Sequence, residues 1–450
     1  MPPIRPPHYG RRNGFYDEWG QEGQNGEADA RRRKRTLSTQ PPNQPGSRLW
    51  LWVLMAAAVL TQTSLNLSRP VVSYKLLALG GDAAVIGVVT AIYAVLPVVA
   101  ALWLGRVSDR VASLKGMVVL GAVMLAVAAV GLALAEEFLL IGVSMALLGM
   151  GHLVFTIAGQ SAIGRYAPLN QMDSGFGWFT AAFSLGQLLG PLLAGLLLGT
   201  GTEGVGPDWL GAINLALLLA AGIALAGAPL MLIGAHPGAP RRRFRRKNDG
   251  AAAAGAVRPA VVKEPVLQIL RRPGVAWNML ASLALLSVID ILVAFLPLVG
   301  EELGVAPFWV GVLLAVRASA SIISRILLPW LVQRWSRIQL LVASLLGSGL
   351  TIAVTPLVLE PFWPAAVALF VGGFLLGLGQ PLTMTLISQA VRPESRGAAL
   401  ALRLLGNRAG QVVLPLAAGL VAAPLGPGGA IWFSCAVLGA AATARLTVRK

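Results

Sequence analysis

GQLLGPLLAG, Gly186–Gly195, returns 224 residues later as GQVVLPLAAG, Gly410–Gly419, identical at six of ten positions. The same offset pairs Leu79-Gly80 with Leu303-Gly304, Gly87 with Gly311 and Arg110 with Arg334. With a four-residue gap, LLGMG at Leu147–Gly151 matches LLGLG at Leu375–Gly379. One offset recurring through separate blocks marks a duplicated unit, so the chain reads as two copies of one structural half.

What the halves are made of follows from composition. Of 450 residues, 56% are hydrophobic and 12% charged, with a mean hydropathy of +0.71. A soluble protein carries about 25% charged residues, so a water-soluble enzyme is excluded as a class. From Leu49 onward the chain is a series of apolar segments near the ~20 residues that a membrane span needs. Twelve are expected, at 49–78, 83–104, 116–135, 138–163, 174–199, 209–234, 274–299, 307–328, 338–358, 362–389, 397–421 and 429–446. Backbone groups in a bilayer must be paired internally, which leaves helices or a closed barrel. The segments lack the period-2 alternation of a barrel strand. The expected fold is all-α: twelve transmembrane helices in two pseudo-symmetric six-helix bundles, 48–234 and 274–450.

Two segments lie outside this pattern. Residues 1–47 are rich in Pro, Gly, Gln and Arg, carry Arg31-Arg32-Arg33-Lys34-Arg35, and read as a disordered tail with no secretory apolar region. Residues 235–273 form a linker with ten basic residues and two acids.

The net charge of +17 suggests nucleic acid at first sight, but its distribution says otherwise. Nineteen of the 36 basic residues lie in the first 48 residues and the 235–273 linker. Most of the others cluster in alternate connections, at Arg106/Arg110/Lys115, Arg165, Arg334/Arg337, Arg392/Arg396 and Arg445/Arg449/Lys450. The opposite connections hold Asp82, Glu136, Glu137, Glu203, Asp208, Glu301, Glu302 and Glu360, with Lys75 the one basic neighbour. By the positive-inside rule both termini are cytoplasmic, in a plasma membrane of bacterial inner-membrane type. Anionic lipid headgroups, not nucleic acid, are the expected partner of the excess charge. Trp50, Trp52, Trp209, Trp309 and Trp363 fall near span ends, as an interfacial belt does.

The first basic turn reads Gly105-Arg-Val-Ser-Asp109-Arg110-Val-Ala-Ser-Leu-Lys115. It resembles the signature loop of the major facilitator superfamily, Gly-x3-Asp-Arg-x-Gly followed by basic residues, with Ala112 in place of the second glycine. The mirror turn keeps Arg334 but has Gln333 where the acid would be. The resemblance implies that Gly105, Asp109, Arg110 and Lys115 form a cytoplasmic gate between the halves. The fifth helix, with Gly177, Gly186, Gly190-Pro191 and Ala194-Gly195, resembles that family's antiporter motif, associated with drug and metabolite exporters. Pro191 cannot donate to the Gln187 carbonyl, so a kink is expected there. The family's exporters also place an Arg in the fourth helix; Ser144–His152 contains none.

Polar residues inside spans are costly and functional by default. Asp290 is the one carboxylate deep in a span, and Arg317 sits in the next span; at about 1.5 Å per residue both lie roughly 15 Å deep. Arg69 lies at similar depth, and the repeat sets Asn66 opposite Asp290. An Asp290–Arg317 pair is expected, either as a structural salt bridge or with Asp290 as the site of a coupling proton. His152 and Gln380 occupy equivalent repeat positions, facing substrate or simply hydrogen-bonded in the packing. Gln160, Gln187 and Gln411 are weaker candidates. Arg403, Asn407 and Arg408 are open to pairing with Asp109 or Asp173, or to reaching headgroups.

The resulting expectation is a monomeric secondary transporter for a small-molecule substrate, proton-coupled and exporting, that rocks two halves about a midplane site. Uptake of an organic anion by a symporter or facilitator, and a non-transporting sensor or scaffold, are the alternatives. No cofactor or metal is expected: there is one cysteine, the three histidines are far apart, and no Walker loop or catalytic constellation occurs.

Overall fold

The computed structural model describes residues 49–111, 113–167, 172–201, 209–233, 266–392 and 395–447. The expected tail, most of the linker, and the side chains of Asp109 and Asp173 lie outside the described residues. Twelve helices among the described residues are long and apolar enough to cross a membrane. They are α1 (Leu49–Ala78), α2 (Ala83–Arg110), α3 (Lys115–Leu134), α4 (Phe138–Tyr166), α5 (Met172–Leu198), α6 (Leu210–Ile233), α7 (Val275–Glu302), α8 (Pro307–Arg334), α9 (Arg337–Val354), α10 (Phe362–Ala390), α11 (Arg396–Leu425) and α12 (Pro427–Thr447). A short helix, Val266–Arg271, precedes α7. No described residue is in a strand.

All twelve helices start within two residues of the positions expected from hydropathy. The ends of α2 and α8 differ more, each running six residues further, to Arg110 and Arg334. Hydropathy falls where charge appears, but the backbone ladder continues as long as its last carbonyls find donors. For α2 the donor is Arg165 at the end of α4, whose guanidinium gives 2.7 Å hydrogen bonds to the carbonyls of Ser108 and Val111. Gly105 and Arg110 therefore sit in the last turns of a helix rather than in a loop, and only 111–114 connect α2 to α3. Nothing lies within 4 Å of a Cβ built at Gly105 or Gly177, so neither glycine is required by close packing. α5 runs without interruption through Pro191.

Packing follows the duplication. Within the first half α1 packs on α5 and α6, and α3 on α4 and α6; within the second α7 packs on α11 and α12, and α10 on α8 and α9. Between the halves the main seams are α2 with α11 and α5 with α8, two pairs that the 224-residue offset exchanges. The repeated glycines and prolines build them. A Cβ at Gly87 would lie 2.7 Å from the Pro415 carbonyl oxygen and 2.9 Å from the Gly419 Cα. In the twin seam, Gly311 meets the Pro191 carbonyl and the Gly195 Cα, and a Cβ at Gly195 would lie 2.9 Å from the Pro307 and Phe308 backbone. Small residues let helix backbones approach this closely in a membrane. A backbone hydrogen bond from Phe308 to the Gly199 carbonyl, 3.2 Å, crosses the same seam. These approaches lie toward the helix ends that carry Asp82, Glu136 and Glu301, called the acidic end below. Gly186 and Gly190 do different work: Cβ atoms there would meet the Gln62 and Asn66 backbone, so they seat α5 on α1.

At the acidic end Lys75 is almost wholly buried and caps α3. Its Nζ donates to the carbonyls of Leu132 (2.6 Å) and Ala133 (2.7 Å) and to Asn214 Oδ1 (2.9 Å). A cation at a helix C-terminus satisfies orphan carbonyls and opposes the helix dipole.

Candidate functional site

Among the described residues, six charged side chains lie seven or more residues from either end of a spanning helix: Arg69, Asp290, Arg317, Arg325, Arg403 and Arg408. Charge at this depth is stable only when paired or hydrogen-bonded, so the partners decide what each can do.

Asp290 on α7 is 4% exposed. Its Oδ1 accepts from Arg69 Nη1 on α1 at 2.7 Å, and its Oδ2 accepts from Gln411 Nε2 on α11 at 2.6 Å. Gln411 Oε1 in turn accepts from Arg408 Nη1 at 3.0 Å. The Arg69 guanidinium stands 5.0 Å over the Tyr93 ring of α2, a favourable cation–π arrangement. The Tyr93 hydroxyl meets His152 Nδ1 of α4 at 2.5 Å. His152 also packs against Phe183, while its Nε2 has no partner. One connected network thus runs from His152 through Tyr93 and Arg69 to Asp290, Gln411 and Arg408. It joins α1, α2 and α4 of the first half to α7 and α11 of the second. On the acidic side of Arg69 lies a void about large enough for one water, lined by Ser73, Leu76, Val89, Thr90 and Val293 among others.

The expected Asp290–Arg317 pair is not formed; the Asp290 carboxylate accepts from Arg69 and Gln411 instead. Arg317 on α8 is 2% exposed, and its Nε and Nη1 have no hydrogen-bond partner. Its charged neighbours are Arg325, Asp290 and Arg69. Depth along the sequence brought the three residues to one level; rotation of each helix about its own axis chose the pair.

Gln380 and His152, equivalent by repeat, are not brought together. Gln380 Oε1 accepts from Arg403 Nη1 at 2.9 Å, and its Nε2 donates to the Ser282 carbonyl at 2.9 Å. Arg403 also donates to Ser282 Oγ at 2.7 Å. Arg403 is 5% exposed, so it reaches no headgroup in this state. Arg325 on α8 donates across the seam to Ser184 Oγ of α5 at 2.5 Å. Tyr93 does not stand out in the sequence, although the offset that relates the halves places it at the position of Arg317; Arg325, three residues before the expected span end at 328, reads as an end-flanking charge and becomes deep only because α8 runs on to Arg334. Of the gate positions, Arg110 is exposed at the end of α2 and Lys115 opens α3. No group of three His, Cys, Asp or Glu with metal-holding geometry occurs among the described residues.

A single carboxylate held between guanidinium and amide donors from opposite halves is suited to binding, release and protonation rather than covalent chemistry. Solved structures with the same architecture are transporters. A mutant of the nucleoside transporter NupG superposes with a TM-score of 0.71 over 89% of this chain and 100% of that one, at 13% identity. A D-xylose-proton symporter gives 0.69 over 88% and 97%, at 15% identity. An inward-facing, unoccupied bacterial homolog of the human lysosomal transporter Spinster gives 0.67 over 89% and 95%, at 16% identity. In sequence, the tetracycline resistance protein, class B, of Escherichia coli is 33% identical over 117 residues, a stretch that spans only 24% of this chain and 27% of that protein. The Major Facilitator Superfamily profile matches residues 54–355 and 291–450, and the chain belongs to that family: it is an integral membrane transporter of the Major Facilitator Superfamily.

Proposed function

We propose that the protein is a proton-coupled exporter of small organic molecules that works by alternating access, with Asp290 as the proton carrier. The observation that carries this reading is the Arg69–Asp290 pair, an ion pair whose two members belong to opposite halves. Protonating Asp290 removes the charge that holds Arg69 and weakens the tie between α1 and α7. Re-ionisation restores it. A proton thereby gains different affinities for two arrangements of the halves, which is what coupling requires. The water-sized void gives that proton a polar stepping point toward the acidic end, beside Ser73 and Thr90.

Export is favoured over uptake by two features: the Gly-Pro pattern of α5, which supplies the α5–α8 seam, and the likeness over 117 residues to a resistance protein. Arg110 and Lys115, with Asp109, form the gate at the basic end. The basic helix ends face anionic lipid in the cytoplasmic leaflet of a plasma membrane, with both termini on that side, and the chain works as a monomer with no cofactor.

Inside-out vesicles containing the protein, supplied with a cell extract and compared by mass spectrometry with and without an imposed proton gradient, test the reading. Gradient-dependent accumulation of one or more small solutes is expected. Accumulation only in right-side-out vesicles would assign uptake instead, and the absence of any transported solute would favour a scaffold.

A further inference from the structure

Among the described residues, Arg317 is the one deep cation with no carboxylate, amide or hydroxyl partner. Arg69 has Asp290, Arg325 has Ser184, Arg403 has Ser282 and Gln380, and Arg408 has Gln411. Arg317 has two orphan nitrogens, Nε and Nη1, and 2% exposure. A buried guanidinium in this state is costly, and the cost is relieved when an acceptor of opposite charge reaches it. Asp290, the one deep carboxylate among the described residues, accepts from Arg69 and Gln411 and not from Arg317.

The surroundings point to the sign of that partner. Four of the five deep arginines, Arg317, Arg325, Arg403 and Arg408, belong to the second half. The repeat places Tyr93, Ala101, Phe179 and Ser184 at their positions in the first half, none of them charged. The packing shared by the two halves therefore does not call for a cation at these positions, although Arg325 and Arg403 also tie helices together. Their backbone setting is tight as well: a Cβ at Gly373 would lie 2.9 Å from the Arg317 Cα, so α10 fixes the position of Arg317 and its guanidinium is carried on a rigid base. A fixed fork of donors with no fixed acceptor is the arrangement that receives a carboxylate, phosphate or sulfonate in two-point fashion.

We propose that Arg317 seats the anionic group of the transported solute, so that the substrate class is organic anions. This rests on the reading of the central network as the transport site. It does not depend on the direction of transport or on the coupling ion. Arg325, two turns nearer the basic end on the same helix, and Arg408 on α11 supply the positive field through which an anion reaches the seat.

A binding experiment in detergent, with no gradient, separates this proposal from the transport reading, which is tested in vesicles. Thermal unfolding of the purified full chain is followed with benzoate, with its neutral isostere benzamide and with its cationic isostere benzamidine at equal concentrations. Inorganic phosphate and chloride form the inorganic arms. Benzoate is expected to raise Tm by about 2 °C or more, as selective binding to the folded state does, while benzamide and benzamidine leave it unchanged. The shift is lost in Arg317→Gln and kept in Arg337→Gln, a charge-matched change at an exposed helix end. Should Arg317→Gln not survive purification, Arg317→Lys carries the test, because a point charge replaces the planar fork and roughly tenfold more benzoate is then needed. A shift with phosphate or chloride alone would overturn the organic-anion assignment in favour of an inorganic anion. Equal shifts with all three isosteres, a benzoate shift that persists in Arg317→Gln, or no shift with any anion would overturn the seat itself. In each of these cases the vesicle result on proton-driven export would still stand or fall by its own outcome.

Discussion

Asp290 uses both carboxylate oxygens, one on a guanidinium from α1 and one on an amide from α11. Breaking such a pair from one side leaves an uncompensated buried charge, worth about 3–5 kcal/mol, whereas removing both members together is far milder. Arg69→Ala is therefore expected to lower the unfolding temperature of the purified protein sharply, and Arg69→Gln combined with Asp290→Asn to recover most of the loss. Equal destabilisation by the single and the double change would mean that the pair is not what holds Arg69 and Asp290 in place. The residues of this network were largely legible in the sequence, because a charge inside an apolar run is conspicuous and the rise per residue gives its depth. Their pairing was not. Each residue turns the helix by about 100°, so azimuth depends on which face is seated on a neighbour. For α1 that is settled by Gly186 and Gly190 of α5 pressing on Gln62 and Asn66. Tyr93 was illegible for a further reason: a tyrosine in a span reads as an ordinary apolar residue until a guanidinium is found above its ring.

At the level of helices, the duplication visible in the sequence proved to be the contact code between the halves. Gly87 and Gly311 face Pro415/Gly419 and Pro191/Gly195, the same residues whose recurrence reveals the offset. A side chain at either glycine meets backbone, which cannot swing aside. Gly311→Leu should wedge open the α5–α8 seam at the acidic end and shift the protein toward the opposite arrangement. In a Cys435→Ser background, a cysteine at Thr90, which is buried beside the small void, reports this. Its labelling by a membrane-impermeant thiol reagent from the acidic side is expected to rise severalfold with Gly311→Leu. Unchanged labelling would show that the seam does not govern access. Helix starts were read from hydropathy to within two residues, but the last turns of α2 and α8 were not. The last carbonyls of α2 are capped by Arg165 from α4, and a hydropathy profile registers no such donor.

Across the whole molecule, the charge map divides into two kinds of residue. Most of the basic excess lies at helix ends, in residues 1–48 and in the 235–273 linker, and in the proposed orientation it faces an anionic leaflet. A small set lies deep in the spans, weighted to the second half, and there the fold gives it one carboxylate to share. The exchange of that carboxylate between an ionised, tied state and a protonated, released one is the central claim. It is tested most directly with Asp290→Asn in inside-out vesicles, by measuring gradient-driven accumulation and gradient-free counterflow of the same solute side by side. The account predicts a folded protein of lowered stability, because Arg69 loses its carboxylate, with loss of the gradient-driven component by tenfold or more and preserved counterflow per folded molecule, since the amide carries no titratable proton. Undiminished proton-driven accumulation in Asp290→Asn would contradict it.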